Sequence, residues 1–402
     1  MSKQRKRIVI VGGNFAGLAA ASKLSTDYAV TVVDAGKHFE WIPNIHELVS
    51  GVKTSKDLRL DRARIVARAG HRFVQDLVVQ VDTDRDMVVT DSGRELGFDA
   101  CIVAIGGIAN TFGIRGAAAN TQPFRGVADS EAIGRELLAL ERDSKAMRLV
   151  IVGAGISGIE ALGEVLRRYG DNPRLSVDVV EAGARLLPAF PAKLDADIRK
   201  LCEPYPVVFH TGARIARVAP KSVLLDNGRR IPSVLTLWTA GLAPSALLRA
   251  SGLARDGETW APVSRTLQSA YCDRVFVAGD AAALPKPLAK QVFHALDMGH
   301  CAAANVQRYL EGRALQTFKP ANKPLIIAFG DLQTFMVAGR AVVANRSVAA
   351  AKEGLYQVYM AQMAPQGVLK SLPGVADRLL RSWDTLLKPQ LAALVSAPST
   401  ER

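Results

Sequence analysis

Residues 7–24 read RIVIVGGNFAGLAAASKL. A β-branched apolar run enters a glycine turn, and small residues open a helical stretch behind it. This is the strand–turn–helix of a dinucleotide-binding βαβ unit, whose turn follows Gly-x-Gly-x-x-Gly. Gly12 and Gly17 stand at the ends, with Gly13, Phe15 and Ala16 between them. Asn14 takes the middle glycine's place. Asparagine tolerates left-handed backbone geometry better than most residues, so Asn14 is expected to adopt it. Taken alone, the stretch is equally well an ordinary strand running into a helix.

The chain carries the pattern twice. Residues 148–166, RLVIVGAGISGIEALGEVL, repeat it, so that Gly153 matches Gly12 and Gly158 matches Gly17. In this copy Gly155 supplies the middle glycine, and Ile156 after it is counted with the cofactor-binding turn. Each copy continues to a second apolar run that ends in an acid, AVTVVDA at Asp34 and SVDVVEA at Glu181. Backbone N–H groups at the helix start would face a diphosphate, and the acid would accept from a ribose hydroxyl. Two copies, each with its acid, predict an α/β chain with two Rossmann-type domains.

Composition fits a soluble globular chain of more than one domain: 402 residues, 49% hydrophobic and 22% charged. Four scattered cysteines, Cys101, Cys202, Cys272 and Cys301, form no Cys-x-x-Cys pair, so neither a disulfide framework nor a zinc site is expected. Cys101 and Cys301 lie among apolar or small residues and are expected to fill core. No signal peptide or bilayer-spanning run stands out. The formal charge of +13 suits an anionic partner or simply a basic solvated surface.

A later segment, CDRVFVAGDAAALPKP (272–287), delivers Gly279 and Asp280 at the end of an apolar strand, before a helix expected to begin near Lys290. An acid there can reach a flavin's ribityl chain while the helix N-terminus faces the ring. FDACIVAIGG (98–107) ends another apolar strand, where Ala104 and Gly106 allow close approach.

The order of VGGNFAG, AIGG, VGAGISGIEALGE, WTAG and VFVAGDAA resembles the two-dinucleotide flavoprotein reductases. More narrowly, it is similar to type II NADH:quinone oxidoreductases and the apoptosis-inducing-factor-like ferroptosis suppressors. The resemblance implies an FAD-binding part at 1–115, an NAD(H)-binding part at 116–262, a return to the FAD domain at 263–322 and an α+β cap at 323–402. It implies hydride transfer from NADH to non-covalent FAD, then electron delivery to a quinone. By position, Gly12, Gly17, Asp34, Val78, Ala104, Gly106 and Asp280 would contact FAD. Gly153, Gly155, Gly158, Glu181 and Gly241 would line the NADH site, with Glu160 beside the nicotinamide. Glu181 suits the 2′-hydroxyl of NADH and repels the 2′-phosphate of NADPH; Arg185 nearby pulls the other way.

The acceptor is less legible. In PLAKQVFHALDMG (287–299), Lys290, Gln291 and His294 are the candidates for serving a quinone oxygen, with Lys290 and His294 expected on one helix face. A small redox protein such as a ferredoxin stays open as the acceptor, and so does a redox-dependent role on nucleic acid, though nucleic acid is the less favoured partner. Residues 325–347 read as short strands and turns. Two helical segments follow, the second basic and amphipathic around Trp383. Residues 366–402 could therefore meet an anionic membrane at its inner face, a second copy in a homodimer, or the chain's own FAD domain.

Overall fold

The computed structural model describes residues 5–321 and 323–364. They fall into two compact units: residues 5–43, 59–110 and 242–321 belong to the first, and 44–58, 111–241 and 323–364 to the second.

The first unit is built on a five-stranded parallel sheet in the order Val275–Val277, Ala100–Val103, Arg7–Val11, Ala29–Asp34, Arg72–Gln75. Its central strands are closed to solvent on both faces, as their unbroken apolar runs require. Helix Phe15–Ala21 follows the first strand and is wholly buried. Helix Val292–Leu310 lies against it. A Cβ on Gly299 would overlap the Ala16 carbonyl oxygen, so the two helices meet backbone to backbone.

The second unit repeats the design. Its parallel sheet runs Gln122–Pro123, Leu235–Trp238, Met147–Val152, Leu175–Glu181, Val207–Thr211. In both units the turn strand sits at the centre with the acid-bearing strand beside it. The cap's three strands, Leu325–Phe329, Gln333–Ala338 and Ala341–Ala344, and helix Arg346–Met363 pack within this unit. The strands and the first of the two expected helical segments are therefore present. The segment around Trp383 lies outside the described residues.

The units are drawn differently from the expected segments. Residues 242–262 join the first unit: Leu242–Ala243 pair with Ile108–Ala109, and Ala261–Pro262 pair with Ala282–Ala283. Residues 44–58 join the second, where Lys53 bonds Glu353 at 2.9 Å. Neither pairing carries a periodic signal that sequence could reveal.

Candidate functional site: two dinucleotide cradles

The two turns share one clasp. Gly13 N–H donates to Asp34 Oδ2 at 2.7 Å, and Gly36 N–H to Asp34 Oδ1 at 2.8 Å. In the second unit Ala154 N–H donates to Glu181 Oε2 at 2.8 Å, and Gly183 N–H to Glu181 Oε1 at 2.7 Å. Each acid thus ties the turn to the loop beyond its own strand. Gly12 and Gly153 have φ of +97° and +99°, a region that only glycine enters at little cost. A Cβ on Gly17 or Gly158 would overlap the carbonyl oxygen of Gly12 or Gly153.

Asn14 does not adopt the expected left-handed geometry: its φ is −108° and ψ −145°. Its side chain turns away to Glu40 instead. Glu40 N–H donates to Asn14 Oδ1 at 3.2 Å, and Asn14 Nδ2 to the Glu40 carbonyl at 3.4 Å. Asparagine is admitted because strand His38–Glu40 takes up its amide, a long-range contact that outweighs local preference.

Gly155 is informative for the opposite reason. Its φ is an ordinary −73°, and a Cβ there would meet no protein atom within 4 Å. Nothing in the fold demands glycine at this exposed position. A diphosphate brought against the start of helix Ile156–Tyr169 does, so the residues present fit a dinucleotide. Gly106, likewise with open space around a Cβ, sits at the end of strand Ala100–Val103 beside buried Ala104. Val78 opens strand Val78–Asp82 and is buried, and Gly241 follows strand Leu235–Trp238 with φ of +67°.

Arg185 does not reach towards Glu181. Its guanidinium donates to the carbonyls of Leu187 at 3.2 Å, Pro188 at 2.8 Å and Phe190 at 2.6 Å. The competing cation is therefore committed to those carbonyls.

In the first unit a cavity of about 250 Å³ opens beside Gly279 and Asp280, lined further by Trp260, Lys290, His294 and Met298 among others. Helix Val292–Leu310 begins two residues later than expected, so Lys290 precedes it and shares no helix face with His294. The cavity nevertheless gathers both. Lys290 Nζ stands 3.1 Å above the Trp260 ring centre and donates to the Asp280 carbonyl. Burial of this ammonium lowers its pKa to about 8, with Asp280 opposing the shift. Gln291 caps the helix without a side-chain bond to it and does not line the cavity.

Glu160 is buried in the second unit. Its Oε1 accepts from Lys352 Nζ at 2.7 Å and from Ala328 N–H at 3.1 Å. Neutral His46 completes the group: Lys352 Nζ lies 3.3 Å from its Nε2, and its Nδ1 lies 3.6 Å from Glu160 Oε2. Burial, then the cations Lys352, Lys53 and Arg167, hold the imidazole well below its ordinary pKa. Burial raises the Glu160 carboxyl, with Lys352 opposing. Sequence reading missed Lys352 and His46, which lie 192 and 114 positions from Glu160 and belong to no motif. One turn further along the helix, Glu164 accepts from the Ser50 hydroxyl, and Gly163 meets Gly330 of the cap hairpin so closely that a Cβ on either would overlap the other's backbone.

All four cysteines are free. Burial pushes the Cys101 thiol up, and raises Cys202 to about 12 and Cys301 to about 11, none of them suited to thiolate chemistry. Cys101 is core, as expected; Cys301 is only half-buried.

Residues 6–299 match the family described as pyridine nucleotide-disulphide oxidoreductase. The type II NADH:quinone oxidoreductase of Staphylococcus epidermidis (strain ATCC 35984) is 28% identical over 363 residues, spanning 82% of this chain and 89% of that one. That of Staphylococcus aureus (strain NCTC 8325) is 25% identical over 381 residues, 86% of this chain and 93% of that one. Among solved structures, NDH2 from Plasmodium falciparum in complex with NADH has a TM-score of 0.82 at 13% identity, covering 89% of this chain and 95% of that one. The sulfide:quinone oxidoreductase from Aquifex aeolicus has a TM-score of 0.80 at 16% identity, covering 89% and 91%. At those identities the two structures speak for the fold.

Proposed function

The chain belongs to the pyridine nucleotide-disulphide oxidoreductase family, and from that premise we propose that it is an FAD-dependent NADH dehydrogenase whose electrons pass to a quinone. The observation that carries this is the doubled cradle: two glycine turns, each clasped by the acid of its second strand. Curated relatives that share most of the chain's length are type II NADH:quinone oxidoreductases, which supports the acceptor. FAD is assigned to the first cradle, with Asp34, Val78, Ala104, Gly106 and Asp280, and NADH to the second, with Gly155, Glu181 and Gly241.

When bound, the flavin supplies the redox chemistry, taking a hydride from NADH and giving electrons to the acceptor. The chain's own residues supply binding and protons. Glu181 favours NADH. Lys290, with a pKa of about 8, holds a proton at neutral pH and can release it to a quinone oxygen, with His294 lining the same cavity.

No helix of the described residues is long and apolar enough to cross a membrane. Attachment at an anionic inner membrane face through residues 366–402, and homodimer formation, belong to the same proposal. The basic amphipathic pattern around Trp383 supports the attachment.

Rapid mixing separates flavin reduction by NADH from reoxidation by a quinone with lipid present. His294→Ala is expected to slow reoxidation about tenfold or more and spare reduction. Gln291→Ala, outside the cavity lining, should spare both. Reoxidation by the parent should decline as pH rises through about 8, where Lys290 loses its proton, and Lys290→Met should abolish that dependence. A parent protein that reduces no quinone but turns over with an iron–sulfur protein would replace this reading with the protein-acceptor one.

A further inference from the structure

The two cradles differ in one buried side chain. Glu181 accepts its two N–H groups and, among the described residues, pairs with no cation. Asp34 accepts the same two and also pairs with Arg62. The Arg62 side chain is only 5% exposed. Its Nη1 donates to Asp34 Oδ1 at 2.6 Å and to the Gly36 carbonyl, and its Nε donates to the Gly13 carbonyl at 2.5 Å. Nη2 has no acceptor among the described residues.

A second observation follows from the place these bonds give the side chain. A Cβ on Gly13 would come within 2.5 Å of Arg62 Cδ, so the arginine requires glycine at that place. The second turn has Ala154 at the matching place and no arginine there. The extra glycine of the first turn is thus a mark left in the sequence by Arg62. Arg62 also lines a concave space of about 380 Å³ with Asn14, Gly36, Lys37, His38, Glu40 and Arg59.

We propose that Arg62 is a positioning residue that makes the first cradle a seat for a resident dinucleotide, while the second cradle, lacking its counterpart, takes an exchangeable one. The inference rests on the assignment of FAD to the first cradle. An acid that reads a ribose stands near a diphosphate and repels it. Arg62 cancels that repulsion and fixes the carboxylate in the orientation a ribose needs, through the rigid fork of its guanidinium. Glu181 keeps its full charge, which selects against a 2′-phosphate and keeps the bound nucleotide loosely held.

The test is flavin release from the full-length holoprotein on dilution, followed by the rise in flavin fluorescence, alongside thermal unfolding of each variant. Arg62→Met should raise the FAD dissociation constant at least tenfold and leave the affinity for ADP-ribose at the second cradle unchanged. Arg62→Lys, which keeps the charge but not the fork, should fall between. FAD affinity in Arg62→Met within threefold of the parent would overturn the proposal. Should Arg62→Met fail to fold, Arg62→Lys decides, and parent-like flavin retention there overturns it. A parent chain that binds no FAD at all would instead remove the functional reading, and this inference with it.

Discussion

Glu160 Oε1 lies 2.7 Å from Lys352 Nζ, although 192 positions separate the two residues. Lys352 sits on the cap helix and Glu160 on the helix that follows the second glycine turn. The cap is therefore joined to the acid that motif reading had already singled out. Burial raises the Glu160 carboxyl, and Lys352 is the largest influence drawing it back. Lys352→Met should let the carboxyl keep its proton to higher pH. Infrared difference spectra against Glu160→Gln would follow the protonated carboxyl band, and a band titrating at the parent's pH would show that Lys352 does not govern it. Breaking such a buried pair should also cost about 3–5 kcal/mol of stability unless the carboxyl stays protonated.

Gly155 and Gly158 separate what the ligand needs from what the fold needs. Gly158→Ala should destabilise the protein by about 1–3 kcal/mol or more, because its methyl has no room beside the Gly153 carbonyl. Gly155→Ala should melt like the parent, since φ is ordinary and the space is open. Its KM for NADH should rise about tenfold, the equivalent of about 1.4 kcal/mol. An unchanged KM would show that no diphosphate approaches there.

Glu181 should govern coenzyme choice, with Arg185 held by three carbonyls. Glu181→Gln keeps the side chain's shape and removes its charge. The preference for NADH over NADPH, measured as a ratio of kcat/KM values, should narrow by about an order of magnitude. A ratio equal to the parent's would mean that Glu181 only braces the turn.

Glu164 makes stability depend on pH. Burial raises its carboxyl from 4.5 to about 7, against the Ser50 hydroxyl and Arg167, with Glu47 adding to the rise. The folded chain then holds a proton that the unfolded chain releases near 4.5. Glu164's contribution to stability should be fully present below that pH and be lost as pH rises through about 7, by up to about 3 kcal/mol. Glu164→Gln should flatten this slope in denaturant titrations. A slope unchanged by the substitution would assign it to other groups.

The doubled strand–turn–helix and both acids were legible because each is a local pattern, written in consecutive residues. The paired sheets followed from the same apolar runs. What sequence hid were contacts between distant residues with no period to announce them: Arg62 on Asp34, Lys352 and His46 around Glu160, and the Asn14 amide on Glu40. A helix start placed too early put Lys290 and His294 on one face, while Gln291 had entered the candidate site by its place in PLAKQVFHALDMG. The structure makes it the cap of helix Val292–Leu310, which turns Lys290 and His294 into cavity neighbours without a shared face. Arg62 did leave one trace, the glycine at position 13 where the second turn has alanine, but its meaning depends on knowing what packs there.

Gly163 and Gly330 meet with no side chain between them. The gap between the cap hairpin and the helix carrying Glu160 is accordingly a backbone dimension, with no rotamer available to widen or narrow it. Ala328, two residues before Gly330, donates its N–H to Glu160 from the same hairpin. That hydrogen bond inherits its length from the glycine seam. A single methyl at either glycine would displace the donor from the carboxylate. The seam acts as a fixed gauge, and the environment of Glu160 is calibrated against it.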